Sequence, residues 1–573
     1  MKLEFINNWS ERKFLLITLS SIFVVFSLLG LQGFDMCDEG WVLTGYQQIF
    51  NDPVSVEYLM MYYLAQIIGG CWNLIFGVFG IYSFRILSAI VLTSVVLIVY
   101  LFLRRVNRSV FLIGVLVTIL TQSFGIIVFH HNYLTTLLSC LVAIFLMKGL
   151  LGNSSLFVGL AGLGVGLAVF ARLPNLSMMS LMIVIAVYAY YENIKRAFLF
   201  MIVFVFGFCC GIAIVIFLMI LLGHTDIFQN AIISGFSAAE SSGSTHNLKY
   251  MMGVYISNYI NVIKCALAIF IPLFLIHKID SINRIKFSAI PLVLVLMAIL
   301  VYISILLYKY TAIFVVYGLC TPLLFYELYS GRKNKNRSIP TLIVLVLLYC
   351  IPLGSDFGIG NMGSWSVWLA IPYCCHILYS MLRQFHSKYF SIFWMAFLIS
   401  FVISGVYEIS SCCYFDKGWR WNKTSSIDSP LATTFTTKKS ASQVNEILLE
   451  LKQYVKKDDC LFCFQHFASL YYLTETKPYL YNPWPWTYDP DNLEKQIRRA
   501  EREHNYLPVL VRDKSCTGKW PEPDDGWDNT DMKDSYMHKN KRIVSIQNFI
   551  KRNKYSVVWE NSLFQIMLPS ENK

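Results

Sequence analysis

The sequence predicts a polytopic α-helical membrane domain of about 13 transmembrane helices (residues 1–408) followed by a C-terminal extra-membrane α/β domain (residues 409–573). Three observations predict it. The 573 residues are 56% hydrophobic and 14% charged, with a mean hydropathy of +0.54. Soluble domains run near roughly 25% charged, so a water-soluble globular enzyme throughout is excluded. Charge is also partitioned: residues 1–408 carry 23 Lys/Arg and 14 Asp/Glu, about 9% of their length, whereas residues 409–573 carry 24 and 21, about 27%. Finally, apolar runs long enough to cross the hydrocarbon layer recur up to residue 408 and not after it.

The first run, 14–34, has no charge in 21 residues. It follows a basic start without a small-residue cleavage site, so it reads as a retained anchor and not as a removed signal peptide. Further runs cover 86–103, 109–129, 133–147, 156–171, 176–191, 197–222, 287–307, 310–326, 339–353, 365–382 and 389–407; a thirteenth, 251–276, carries Lys264. Basic residues in short loops stay cytoplasmic. With the N-terminus inside, alternate loops hold 18 of them, among them Arg104, Lys148, Arg196 and Arg337, and the opposite loops hold only Arg85, Arg172, Lys249 and Lys309. That asymmetry requires 57–79, rich in Tyr and Met and broken by Gly69-Gly70, to lie along the outer surface as one or two helices within a first outer loop of 35–84. If it crosses instead, there are 14 spans and every later basic loop changes side.

Thirteen spans place residues 409–573 outside. There, helical periodicity at 440–455, 490–504 and 543–553 alternates with β-like runs at 460–464, 507–511, 555–559 and 563–568, the pattern of a small α/β sandwich. Its net charge of about +3 argues against nucleic acid, and the overall +12 is mainly the bias of the inner loops. Most of the 15 cysteines lie in apolar runs as small hydrophobes. Cys460 and Cys463 sit on a predicted strand at a spacing that points them to opposite faces, and no second Cys/His pair completes a zinc set. Cys412-Cys413 leaves pairing with another outer cysteine open.

Five of the 14 membrane-domain acids, Asp35, Asp38, Glu39, Asp52 and Glu57, crowd into the first outer loop. A solvated loop is one reading. The other is chemical: Cys37-Asp38-Glu39-Gly40-Trp41 lies within a few residues of the membrane beside Phe34 and Met36, and a following surface helix can cover it. A carboxylate held there is partly desolvated, which raises its pKa toward a general base's range.

This acidic pair, the Tyr-rich helix after it and the stretch Leu74-Ile75-Phe76-Gly77-Val78-Phe79-Gly80-Ile81-Tyr82-Ser83-Phe84-Arg85-Ile86-Leu87-Ser88 together resemble the polytopic GT-C glycosyltransferases, which include lipid A aminoarabinose transferases and protein O-mannosyltransferases. The resemblance covers the architecture of the whole chain and, at residue level, Phe34 to Arg105. It implies an inverting transfer of a sugar from a polyprenyl-phosphate donor to an acceptor hydroxyl on a lipid, a polysaccharide or a protein. The first acid of the pair, Asp38, then takes the acceptor's proton, and Glu39 orients it or holds a divalent cation; no metal ligand is assigned.

The leaving phosphate needs positive charge. Arg172 ends a span on the side where basic residues are scarce, and either meets the phosphate or anchors the interface by snorkelling. Arg85 has the same two readings, with packing of the motif as its structural one. Lys264 is costly in mid-span, so residues 250–262 are expected along the surface with Lys264 at the outer end of a short span, within reach of a phosphate. His130-His131-Asn132 stands where relatives often carry an Asp, and either bonds sugar hydroxyls or is a polar helix boundary. Residues 224–249, with Asp226, Glu240 and His246, read as a mobile lid. Asp356, in the glycine-rich 354–361 loop, and Glu57 are further substrate-binding candidates, and 481–486 either stacks on pyranose rings or plugs the domain onto the membrane.

The competing class is a transporter or flippase of a glycolipid or small solute, which shows internal repeats and several mid-membrane ionisable residues; only Lys264 is of that kind here. A receptor or structural membrane protein needs no acid cluster beside the membrane. The expected location is a bacterial inner membrane with a periplasmic C-terminal domain. The alternative is the endoplasmic reticulum, where the sequon Asn422-Lys423-Thr424 becomes relevant.

Overall fold

A computed structural model describes residues 4–104, 106–122, 126–240, 247–282, 298–299, 302–303, 311–385, 388–514 and 541–570. The expected run at 287–307, apart from residues 298–299 and 302–303, and the residues Arg105, His246, Arg284, Lys286 and Lys309 lie outside them. The chain is an α-helical bundle joined to a C-terminal α/β domain.

The bundle elements, in order, are α1 (Glu11–Leu29), α2 (Asp38–Gln48), a 3-10 helix at Pro53–Tyr62, α3 (Tyr63–Phe76), α4 (Gly80–Phe102), α5 (Arg108–Thr121), α6 (His131–Leu151) and α7 (Ser155–Ala171). They continue with a 3-10 helix at Leu173–Leu181, α8 (Met182–Tyr191), α9 (Ile194–Leu222), α10 (Thr225–Glu240), α11 (Leu248–Ile282), α12 (Ala312–Gly331), α13 (Lys335–Cys350), α14 (Ile359–Phe385) and α15 (Lys388–Ser411). Among the described residues nine helical stretches are long and apolar enough to cross a membrane, with Pro53–Phe102 counted as one, and two shorter apolar helices, α5 and α7, accompany them. The protein is an integral membrane protein of polytopic helical fold.

Local chemistry sets the ends. Ser10 caps α1 by accepting the Lys13 N–H at 3.2 Å, and Asn193 caps α9 in the same way before Gly223, at φ +67°, closes it. Glycines permit the tightest crossing. A Cβ on Gly162 of α7 would lie 2.0 Å from the Phe204 carbonyl oxygen of α9, and one on Gly207 would lie 2.1 Å from that of Gly159. The two backbones touch because side chains are missing there.

Three expectations are corrected. Gly69-Gly70 does not break its helix: α3 runs through it, and the two glycines serve packing instead, since a Cβ on Gly69 would meet the Tyr46 ring at 2.1 Å and one on Gly70 would meet Ile49 at 2.3 Å. These glycines let α2 close onto α3. Residues 250–262 do not form a separate surface segment; they belong to the 35-residue α11. Of the expected lid at 224–249, residues 225–240 are helical, anchored by His224 against the Tyr63 hydroxyl (3.2 Å) and by Ser234, whose Oγ accepts from Asn492 Nδ2 at 2.7 Å.

Basic side chains gather at one end of the bundle. Arg104, past the end of α4, pairs with Glu11 at 2.8 Å. Arg196 donates to the Asn153 carbonyl, and Lys335 pairs with Glu192. Asp38 lies at the other end, beside the starts of α4 and α6.

Two hairpins lead from α15 into the C-terminal domain: β1 (Cys412–Cys413) with β2 (Asp416–Lys417), and β3 (Lys423–Ser426) with β4 (Phe435–Thr437). A five-stranded sheet follows in the order β6-β5-β7-β9-β8, from β5 (Cys460–Phe464), β6 (Lys477–Pro478), β7 (Val509–Asp513), β8 (Tyr555–Glu560) and β9 (Phe564–Pro569). β6, β5 and β7 are parallel, while β9 is antiparallel to both β7 and β8. Helices α16 (Lys438–Leu451), α17 (Ser469–Thr474), α18 (Pro490–Glu503) and α19 (Lys541–Arg552) accompany the sheet. Cys460 and Cys463 face different apolar clusters, as the strand period requires, and the described cysteines are all free.

The domain is tied to the first loop by backbone and charge. Phe435 exchanges main-chain bonds with Leu31 and Gly33. Gly33 has φ +97° and leaves no room for a Cβ, which would lie 2.4 Å from that of Cys413. Asp416, fully buried, accepts the Phe34 N–H at 3.0 Å and the Thr436 hydroxyl at 2.7 Å, and pairs with buried Lys423 at 3.0 Å. Breaking one partner of such a buried pair costs about 3–5 kcal/mol.

Candidate active site

Asp38 and Glu39 open α2 and have opposite environments. Asp35 fixes the start by accepting the Glu39 N–H at 2.8 Å. Glu39 turns inward to Arg85 of α4: Nε donates to Oε1 at 2.9 Å and Nη2 to Oε2 at 2.6 Å. The remaining guanidinium hydrogens go to the carbonyls of Gly30, Gln32 and Gly33 at 2.9–3.0 Å. Oε1 of Glu39 also accepts the Val128 N–H at 2.9 Å. All five donors of Arg85 are therefore used, and it has none left for a phosphate. The pair clamps the first loop, α4 and the segment before α6.

Asp38 stays outside this clamp, partly exposed, and accepts a hydrogen bond from the Tyr414 hydroxyl of the β1–β2 turn. Burial pushes its carboxyl from the usual 3.8 up to about 6; the Tyr414 bond pulls it down and the Glu39 charge pushes it up. Asp35, buried and facing both neighbouring carboxylates, is held well above the usual carboxylate range. Tyr414 sits at φ +54°, a conformation that non-glycine residues rarely adopt. Such local strain at a residue touching a reactive group is a recurring property of functional sites.

Beside Asp38, one helical turn along α2, Trp41 begins an aromatic wall. Its ring meets Tyr62, His131 and Trp484 edge-on at 5.6–6.4 Å. His131 stacks on Tyr62 with centroids 4.0 Å apart. Trp484 and Trp486 continue to His466, whose imidazole burial pushes down to about 4. The C-terminal domain is wedged here: Trp41 Nε1 donates to Asn482 at 3.1 Å, Ser469 bonds the backbone of Asp35 and Met36, and a Cβ on Gly40 would lie 2.0 Å from the Ser469 nitrogen. The 481–486 segment thus docks the domain and also lines the wall.

Arg172 is buried at the end of α7, with Nη1 donating to Ile351 at 2.9 Å and Nη2 to Leu353 at 3.2 Å. Tyr62, Tyr255 and Asp356 act on it electrostatically. It keeps donors beyond those two bonds, and Tyr62 links it to the wall. Asp356 lies in the turn whose Gly354 (φ +77°) packs on Pro174.

Other candidates do different work. Glu57 is engaged by Arg499 of α18 at 2.9 and 3.1 Å, so it is a docking contact and not a free sugar ligand. Lys264 is exposed on α11. His130 holds the Val128 carbonyl at 2.9 Å, and burial lowers its pKa to about 4, keeping it neutral. Asn132 is buried, and its Oδ1 has no hydrogen-bond partner in the structure.

A cation shared by Asp38 and Glu39 does not fit this donor set, because a guanidinium already occupies Glu39. Among the described residues no group of three or more His, Cys, Asp or Glu is placed to hold a metal. Sequence reading missed Tyr414, His466 and Trp41. Only tertiary contact joins the first two to Asp38's surroundings, whereas Trp41 was legible from its i+3 spacing.

No family model matches the chain, and no curated protein matches it. It is similar to a crystal structure of the Archaeoglobus fulgidus oligosaccharyltransferase in complex with zinc and sulfate, at 11% identity over 86% of this chain and 68% of that one, with a TM-score of 0.45. A second structure of that oligosaccharyltransferase, tethered through a disulfide to an acceptor peptide with an NVT sequon, is similar at 11% identity over 86% and 69%, with a TM-score of 0.44.

Proposed function

We propose that this protein is an integral membrane glycosyltransferase that moves a sugar from a polyprenyl-phosphate donor to an acceptor hydroxyl, with inversion. The observation that carries the reading is Asp38: a carboxylate at the edge of the bundle, outside the Glu39–Arg85 clamp, with its proton affinity raised to about 6 and its orientation held by Tyr414. A base with a pKa near working pH is largely ionised yet still takes up a proton readily. Asp38 removes the acceptor's hydroxyl proton as that oxygen bonds to the anomeric carbon. The carbon–oxygen bond to the phosphate breaks, and the phosphate leaves with the electron pair. Arg172 offers that phosphate its remaining donors. The aromatic wall suits the apolar faces of pyranose rings.

The basic end of the bundle supports a cytoplasmic assignment, which puts Asp38 and the C-terminal domain on the opposite, periplasmic side of a bacterial inner membrane. The test is to incubate the purified full chain with polyprenyl-phosphate sugars and follow release of the lipid phosphate. Turnover lost in Asp38→Asn with the fold intact is the expected result; a wild-type chain that releases none, or an Asp38→Asn variant at wild-type rate, overturns the reading.

A further inference from the structure

The described basic end of the bundle contains a cavity of about 790 Å³ between α4, α6, α12, α13 and α14. Its volume is in the range that takes a whole organic molecule, and it is far too large for one ion. The walls are apolar toward the bundle, with Phe102, Met147, Leu151 and Ile377, and polar toward the rim. Arg104, Lys148 and Arg337 reach that rim from three different elements.

The charges there do not cancel. Arg337 is held by Glu327 through two bonds of 2.7 Å, and Arg104 by Glu11 at 2.8 Å. Among the described residues Lys148 has no ion pair, and its ammonium lies only over the Phe157 ring at 5.7 Å. Summed over these described residues, the charge is +1. Deeper in the cavity the Nδ1 of His376 is buried and has no hydrogen-bond partner, although buried ring nitrogens nearly always find one. One uncompensated cation, one orphaned polar atom and an apolar wall define a ligand with one negative charge, hydrogen-bonding oxygens and a hydrocarbon part.

We infer that this cavity binds the headgroup of a monoanionic phospholipid, with the phosphodiester at Lys148 and Arg104 and a headgroup oxygen at His376. Basic residues at helix C-termini such as those of α4 and α6 are also favoured by the helix dipole. That alone accounts for Arg104 and Lys148, but not for a recess of this volume lined also by a histidine whose buried Nδ1 has no partner. The site is at the opposite end of the bundle from Asp38 and does not depend on the proposed reaction.

The test uses the full chain purified in a neutral detergent, with binding of short-chain phosphatidylglycerol and phosphatidylcholine read by native mass spectrometry and thermal shift. Phosphatidylglycerol is expected to bind the wild type more tightly than phosphatidylcholine, by about fivefold or more for each basic group engaged. Lys148→Gln and His376→Phe each reduce that preference, whereas Lys148→Arg retains it. Excess inorganic phosphate leaves phosphatidylglycerol bound if the ligand is a lipid; displacement by phosphate alone overturns the lipid assignment. Equal affinity for the two lipids, or a preference unchanged in both Lys148→Gln and His376→Phe, overturns the site.

Discussion

Glu39 and Arg85 form a two-bond ion pair inside the protein, at 2.9 and 2.6 Å, while the neighbouring Asp38 is left to a single tyrosine. Adjacent acids in one sequence pair are thereby divided into a structural residue and a chemically available one. Glu39→Gln or Arg85→Ala leaves the partner charge buried and unpaired. Each is expected to destabilise the chain by about 3–5 kcal/mol, read as a fall in unfolding temperature in detergent.

Asp38→Asn has the opposite signature. A carboxyl moved from 3.8 to about 6 makes its ionised form cost the folded state about 3 kcal/mol at neutral pH. That contribution favours folding below the ordinary carboxylate pKa and is lost as pH rises through about 6. The amide removes the cost, so the unfolding temperature at neutral pH should hold or rise. Turnover should fall by roughly 10²–10⁴-fold. A variant that loses stability and activity together would place Asp38 in the scaffold.

The pH profile follows from the same group. In the proposed reaction the base acts when ionised, so kcat/KM should rise with pH and level off above about 6. The Tyr414 bond favours the ionised form, so Tyr414→Phe should move this limb to higher pH. A charge-assisted bond of about 1.5–3 kcal/mol corresponds to a displacement of about 1–2 in pH. A profile that stays in place with only a lower plateau would assign Tyr414 to packing.

Glu57 and Arg499 join the bundle to the C-terminal domain, and Arg499 also lies over the Tyr481 ring at 4.0 Å. Glu57→Gln should weaken docking by about 1–3 kcal/mol. Faster hydrogen exchange in the 481–503 region, with KM for the sugar donor unchanged, is the expected pattern. An isolated rise in KM would restore Glu57 to the substrate.

Gly40→Ala is expected to abolish activity, since its Cβ would lie 2.0 Å from the Ser469 backbone nitrogen. The contact is main chain, so no side-chain rotation relieves it. Protease sensitivity of the C-terminal domain in this variant checks the cause.

Much of the fold was legible one segment at a time, because apolar run length and strand or helix period are local properties. The β5 strand was read at its observed bounds, and the ends of α7 and α9 fell within a few residues of those read from hydropathy. Short elements were not legible: β1 to β4 and β6 are two to four residues long, too short to show a period, and each is defined by its pairing with a neighbouring strand. α10 was hidden by its Ser- and Gly-rich composition, and its helix is held by packing on the segment around Tyr63 and on α18.

By itself the sequence determined the two materials, the basic end of the bundle and the acidic pair next to the first span, since composition and spacing carry those. Which acid stays outside the ion pair, which arginine is spent and which distant tyrosine meets Asp38 was decided by tertiary structure alone. Arg85 and Arg172 look alike as single basic residues beside apolar runs. They differ only in how many of their donors are already used, and that depends on carbonyls and carboxylates brought in from elsewhere in the chain.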